Sequence, residues 1–332
     1  MRTYTYKKVG SLSIKAAVYR ADDEAVRPVV VWIHGGALIM GHRNAINGRV
    51  KEMMLAAGYV LVSIDYRLAP ETRLPGIIQD VEDAFAWVRT RGPALFHADA
   101  RRIAVVGGSA GGYLTLAAGY RVKPRPAVLV SLWGYGDLIG DWYSRPSKHP
   151  RHHRIRMTRE QAYREVSGPP ISDARDRAGN GGAFYQYCRQ HGLWPKEVSG
   201  WDPRGDARSF HRYMPVKNVT RDYPPTLLIH GVNDTDVPYA QSVMMAEQLK
   251  KHGVAHELIS IPGAEHGLAG GNPKQIDSAY AAARRFIDRH IKAGRKGPPR
   301  RKENPGSAYE DNGAFGSPEG ERVHKVRVPR RS

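Results

Sequence analysis

Four short stretches of the sequence hold residue types that together perform nucleophilic acyl transfer. Gly107-Gly108-Ser109-Ala110-Gly111 is a G-x-S-x-G pentapeptide between the apolar run Ile103–Val106 and a small-residue helical pattern. Its glycines let the chain turn sharply and leave the serine oxygen above a sheet, while the helix starting at Ala110 aims amides at developing negative charge. Taken alone the pentapeptide also reads as a plain Gly-rich turn; its place between strand and helix favours the nucleophile. Upstream, His34-Gly35-Gly36-Ala37 follows an apolar strand. The amides of Gly36 and Ala37, with that of Ala110, can hold a tetrahedral oxyanion. His34 itself reads as a structural hydrogen-bonding residue that shapes this loop. Downstream, Asp234 comes just after the run Thr226–His230, and His266 lies on the Gly-flanked stretch Pro262–Gly267. Asp236 is the rival acid. It precedes Val237-Pro238 and a helical pattern, so it is assigned to the helix N-cap and Asp234 to chemistry.

These groups are far apart in the chain and need a rigid layer to bring them together. Short apolar runs at 29–33, 59–64, 103–106, 127–132, 226–230 and 257–261 read as strands. Helical patterns near 46–57, 77–90, 238–252 and 274–292 alternate with them, the second carrying Ile77, Val81, Phe85 and Val88 on one face and stopping at Gly92-Pro93. Residues 3–20 alternate about Gly10-Ser11, as an antiparallel hairpin at a sheet edge would. The expected fold is α/β, with about eight strands in a mostly parallel sheet covered by helices on both faces. Residues 141–222, rich in Arg, His, Gly and aromatics, interrupt the rhythm and read as a lid or cap inserted into a hydrolase-sized domain of 1–293. Residues 294–332 lack apolar periodicity and read as a basic, disordered tail.

Composition narrows the function classes. The 332 residues carry 51 Lys+Arg against 32 Asp+Glu, a net charge of +19. That excess is diffuse and comes without a zinc-finger, RNP or helix-turn-helix pattern, so a nucleic-acid partner is not expected. No apolar run is long enough to span a membrane. One cysteine, Cys188, excludes an intrachain disulfide framework and any multi-Cys zinc site. The start lacks an apolar signal region, which makes the cytoplasm the expected location.

The sequence resembles α/β-hydrolase esterases, particularly the branch of hormone-sensitive-lipase-like and feruloyl- or acetyl-xylan-type enzymes. The resemblance covers about residues 3–292 and rests on His34–Ala37, Asp65-Tyr66-Arg67-Leu68-Ala69-Pro70-Glu71, Gly107–Gly112, His230–Asp234 and Glu265-His266-Gly267. Ser109, Asp234 and His266 follow the family's Ser…Asp…His chain order. The family's H-G-G-G loop ends here in Ala37, which keeps the donating amide but adds a β-carbon. An acidic residue frequent before the family's serine is Gly108 here. The Asp65–Glu71 stretch looks like a buttress of the oxyanion loop.

The mechanism this implies is a covalent one on small, medium or carbohydrate-linked esters. His266 takes the Ser109 proton, Asp234 orients the imidazole, and the Gly36, Ala37 and Ala110 amides hold the oxyanion, each such donor being worth about 3 kcal/mol. No metal or organic cofactor is required, and a small-molecule ester is the expected partner. Since the base must be neutral, activity should fall below roughly pH 6 to 7, near an ordinary imidazole pKa. A prolyl-oligopeptidase-like peptidase and a non-catalytic binding protein on a hydrolase scaffold are the competing readings. His149, His152 and His153 sit among arginines and lysine, so they read as surface residues of the lid rather than metal ligands. Cys188 is expected to pack beside aromatics. Trp194, Trp201, Tyr185 and Tyr187 either line a substrate pocket or anchor the lid.

Overall fold

The structure is a computed structural model and describes residues 1–293. Its framework is one eight-stranded sheet in the order β1-β2-β4-β3-β5-β6-β7-β8. The strands are β1 (Arg2–Val9), β2 (Leu12–Tyr19), β3 (Arg27–Ile33), β4 (Val60–Ile64), β5 (Ala98–Gly108), β6 (Val128–Leu132), β7 (Thr226–Gly231) and β8 (His256–Ile261). The first two form the expected edge hairpin, turning at Gly10 with φ +58°, and β2 meets β4 antiparallel; every other pairing is parallel. Helices α1 (Gly48–Ala56), α2 (Leu74–Phe96) and α3 (Ala110–Arg121) occupy crossovers of the first half, α10 (Ala240–Lys251) the crossover from β7 to β8, and α11 (Pro273–Ala293) follows the last strand. Between β6 and β7 lie six short helices: α4 (Asp141–Ser144), α5 (Arg159–Arg164), α6 (Gly182–His191), α7 (Trp194–Ser199), α8 (Ala207–His211) and α9 (Pro215–Asn218).

Strand side chains alternate between two cores. On β3, Val29, Val31 and Ile33 join the core containing Ile77, Val81, Phe85 and Val88 of α2. Val30 and Trp32 point the other way, into the core with Val50 and Met54 of α1 and Tyr280, Phe286 and Ile287 of α11. A sheet buried on both faces explains why its strands read as unbroken apolar runs.

Two local readings need correction. Helix α2 does not stop at Gly92-Pro93; it runs through Pro93 to Phe96 and ends at His97 in the left-handed region, φ 49°. Proline removes one intrahelical donor, but the bare Gly92 lets the Phe96 ring pack back against it, and the His97 amide caps the Gly92 carbonyl. Strand β5 also starts earlier than its apolar run, because Ala98 and Asp99 pair with Arg27 and Pro28 across a register shift. The tail read at 294–332 lies outside the described residues. Among the described residues no helix is long and apolar enough to cross a membrane.

Candidate active site

Ser109 sits at the junction of β5 and α3 with φ 57° and ψ −122°, a conformation in which a β-carbon is strained. Its amide donates to the Leu132 carbonyl at 2.9 Å, and its carbonyl accepts from Tyr113 N at 3.0 Å. The bend also depends on small neighbours. A β-carbon at Gly107 would strike the Gly111 carbonyl, and one at Gly111 would strike the carbonyl oxygen of Ile33 at the end of β3. The obstacle at Gly111 is backbone and cannot rotate away. Gly111→Ala is therefore expected to cost on the order of 3 kcal/mol or more, read as a lowered midpoint in denaturant unfolding.

The loop after β3 approaches the serine closely, since a β-carbon on Gly35 would lie 2.9 Å from Gly108 O and 3.2 Å from Ser109 Cβ. Gly36, Ala37 and Leu38 all have positive φ, at 107°, 56° and 62°. Two consecutive non-glycine residues in this region persist only where the surroundings hold them. Here the Trp194 indole N–H donates to Ala37 O at 2.8 Å, Ala69 N to Leu38 O at 2.8 Å, and Arg177 to Ile39 O. Arg177 is in turn buried in an ion pair with Glu71. His34 is fully buried, its ring stacked on Tyr66 at 4.3 Å and its Nδ1 2.8 Å from Gly35 O. Burial pushes that imidazole down to about 4, so it is neutral. The Tyr66 hydroxyl donates to His34 O at 3.0 Å. The amides of Gly36, Ala37 and Ala110 find no acceptor among the described residues.

His266 follows β8 and lies between the two other groups. Its Nδ1 is 2.7 Å from Asp234 Oδ2, and its Nε2 is 3.1 Å from Ser109 Oγ. This spacing assigns the proton of the neutral ring to Nδ1, leaving Nε2 to accept from the hydroxyl. The carboxylate of Asp234 is fully buried but saturated with donors. Oδ1 accepts from Asp236 N and Val237 N, both at 2.9 Å, and His230 Nε2 stands 3.2 Å from Oδ2. Burial opposes the charge, yet the His230 and His266 rings outweigh it and hold this carboxyl well below the usual range. The loops that carry the pair are cross-tied as well: Thr235 N and Oγ1 donate to Glu265, and Glu265 accepts from His266 N.

Asp236 is not an N-cap. Helix α10 begins only at Ala240, and the amides of residues 236 and 237 are satisfied by Asp234 instead. The turn that looked like Asp236's task thus belongs to Asp234. Asp236 Oδ1 accepts from the Tyr185 hydroxyl at 2.6 Å and from Arg189 Nη1 at 3.4 Å, while Oδ2 faces His266 Nε2 at 3.8 Å. Sequence reasoning named Asp236 as the rival acid but missed these partners, which come from α6, about fifty residues upstream. His152 is likewise not a surface residue. It is buried, 3.4 Å from Gln186 Oε1 and 3.4 Å from Asp236. His153 is exposed and His149 half-buried. Cys188 is buried in the same core as Phe184 and Tyr163, and burial pushes its thiol up. Among the described residues no group of three or more His, Cys, Asp or Glu side chains is arranged to hold a metal ion.

Comparison with known proteins agrees with this architecture. Residues 30–169 match the family described as alpha/beta hydrolase fold, and residues 179–294 match the prolyl oligopeptidase family. The non-reducing polyketide synthase Preu6 of Preussia isomera is 26% identical over 314 residues, covering 80% of this chain and 14% of the synthase. Esterase LipC of Mycobacterium tuberculosis is 29% identical over 263 residues, covering 76% of this chain and 56% of the esterase. The chain thus spans only part of the length of each of these relatives. Thermogutta terrifontis esterase 2 phosphoramylated by tabun superimposes with a TM-score of 0.61 at 20% identity, over 87% of this chain and 94% of that one.

Proposed function

We propose that this chain, which has the α/β-hydrolase fold, hydrolyses carboxylic esters through a serine-bound acyl intermediate. The observation that carries the reading is the position of His266, 2.7 Å from a buried carboxylate on one side and 3.1 Å from the Ser109 hydroxyl on the other. In the first half-reaction Ser109 Oγ bonds to the ester carbonyl carbon as His266 Nε2 takes the hydroxyl proton. The carbonyl oxygen becomes an oxyanion held by the amides of Gly36, Ala37 and Ala110. The C–O bond to the alcohol then breaks, and the departing oxygen receives that proton from His266. Water repeats the sequence, frees the acid and restores Ser109. The substrate is a small or medium ester, with carbohydrate-linked esters in the same class. LipC and the Thermogutta protein are esterases by name, which supports this choice.

The segment between β6 and β7 acts in this reading as the specificity-bearing cap. Its Trp194 bonds the carbonyl of Ala37 and its Tyr185 bonds Asp236, so it touches both the oxyanion loop and the loop that bears Asp234. A serine peptidase is the second reading, favoured by the match of residues 179–294 to the prolyl oligopeptidase family. Short- and long-chain 4-nitrophenyl esters, acetyl-xylan and an aminoacyl-prolyl amide separate the two. Turnover of the esters with at most trace amide cleavage is expected. Preferential cleavage of the amide would transfer the chain to the peptidase reading.

A further inference from the structure

The hydrolytic reading leaves one strong charge pattern unused. Residues 141–212 hold 14 Lys+Arg and 8 Asp+Glu. Arg145, Lys148, Arg151, Arg154, Arg156 and Arg159 all fall within 142–159, a stretch that contains no acidic residue. The remainder of 141–212 is therefore charge-balanced, and its whole excess sits on this ribbon.

The ribbon is pinned beside the site. Gln190 of α6, itself buried, donates from Nε2 to the carbonyls of His152 and Ile155, both at 2.7 Å, and accepts from Met157 N at 3.1 Å. Ser147 N donates to Arg189 O at 2.8 Å. On the inner edge, buried His152 lies 3.4 Å from Asp236, and Arg151 donates to Thr235 Oγ1 at 3.1 Å and stands 3.5 Å from Glu265. Those contacts fall on the two loops that bear Asp234 and His266. On the outer edge, Arg145 pairs with Asp141 and Arg159 lies over the Tyr163 ring. Lys148, Arg154 and Arg156 are exposed, with no carboxylate within 4.0 Å among the described residues. A cavity of about 230 Å³ opens there, lined by His153, Arg156, Gln190 and His191 and by no acidic side chain. Uncompensated cations that border a cleft raise the local concentration of anions and steer them inward.

We propose that this ribbon recognises the negatively charged end of the substrate, a small ester carrying a carboxylate or phosphate group away from the scissile bond. The proposal rests on the ester-hydrolase reading and adds the charge of the substrate to it. The test compares mono-4-nitrophenyl glutarate, its phosphono analogue of equal length and the uncharged 4-nitrophenyl valerate, using the full chain at about 20 mM and about 300 mM salt. Arg154→Glu/Arg156→Glu is expected to lower kcat/KM for an anionic ester about tenfold at low salt and to leave the valerate within about twofold. High salt should narrow that gap. Whichever of the carboxylate and phosphono esters loses more identifies the anion. Lys8→Glu/Lys15→Glu makes the same charge change on the β1–β2 hairpin, at the far edge of the sheet, and should move no substrate. Should the double reversal impair folding, Arg154→Gln/Arg156→Gln should give the same ordering with a smaller change.

An anionic-to-neutral ratio that neither ribbon variant alters, or that the hairpin variant alters equally, overturns the proposal. So does a ribbon variant that loses retention on heparin or anionic vesicles while the ratio holds, which would assign the surface to a polyanion instead. Absence of turnover on all three esters by the unmodified chain would sink the hydrolytic reading itself; normal valerate turnover with an unmoved ratio removes only the charge preference.

Discussion

Ser109→Ala is expected to remove ester turnover almost entirely, with kcat falling by at least about 10⁴-fold while the fold is kept. The size of the effect follows from the chemistry: without Oγ there is no acyl intermediate, and a water in its place lacks the alignment of a covalently held nucleophile. Retention of the fold follows from the packing. The Ser109 backbone makes the structural bonds, to Leu132 O and from Tyr113 N, whereas its hydroxyl bonds only His266. Alanine also keeps a single β-carbon in the same strained backbone region, so the strain is unchanged. Burst kinetics and covalent labelling by an organophosphonate, followed by mass spectrometry of the labelled peptide, measure this directly. A variant with near-normal turnover, or a label on a residue other than Ser109, would contradict the assignment.

Asp234→Asn is expected to lower kcat by about 10³- to 10⁴-fold with little change in KM. The asparagine retains an oxygen for the amides of residues 236 and 237, so the turn before α10 survives. What is lost is the charge facing Nδ1 of His266. An amide can present N–H there, forcing the ring's proton to Nε2 and away from the tautomer that accepts from Ser109. Since its two histidine partners outweigh burial and leave this carboxyl well below the usual range, it stays ionised through all pH values at which the base is neutral. The sign for stability follows. A depressed folded-state value contributes stability above the unfolded carboxylate's pKa of about 3.9 and loses it as pH falls through the folded value. Asp234→Asn should therefore flatten the acid side of a stability–pH curve as well as lowering kcat. Asp236→Asn is the control: its oxygen atoms take no part in the 236–237 turn, so a comparable fall in kcat there with an unaffected Asp234 variant would exchange the two roles.

Local sequence specified the sheet, the chain order Ser109, Asp234, His266 and the glycines that bend the turn at Ser109. Each depends on residues close in sequence: apolar runs make strands buried on both faces, and G-x-S-x-G bends the chain at Ser109 wherever a strand meets a helix. At Pro93 the local breaker signal is overridden by Phe96 packing onto Gly92. Packing in three dimensions decided which partners each of the two acids meets. Asp234 and Asp236 are two residues apart and look alike in sequence, but only the fold brings His230 and His266 to one and Tyr185 and Arg189 to the other. The same holds for the clamp on Ala37, whose donor Trp194 is 157 residues away, and for buried His152. A hydrogen bond between distant elements leaves no periodicity to read, because it depends on where separate segments pack rather than on the spacing within any one of them.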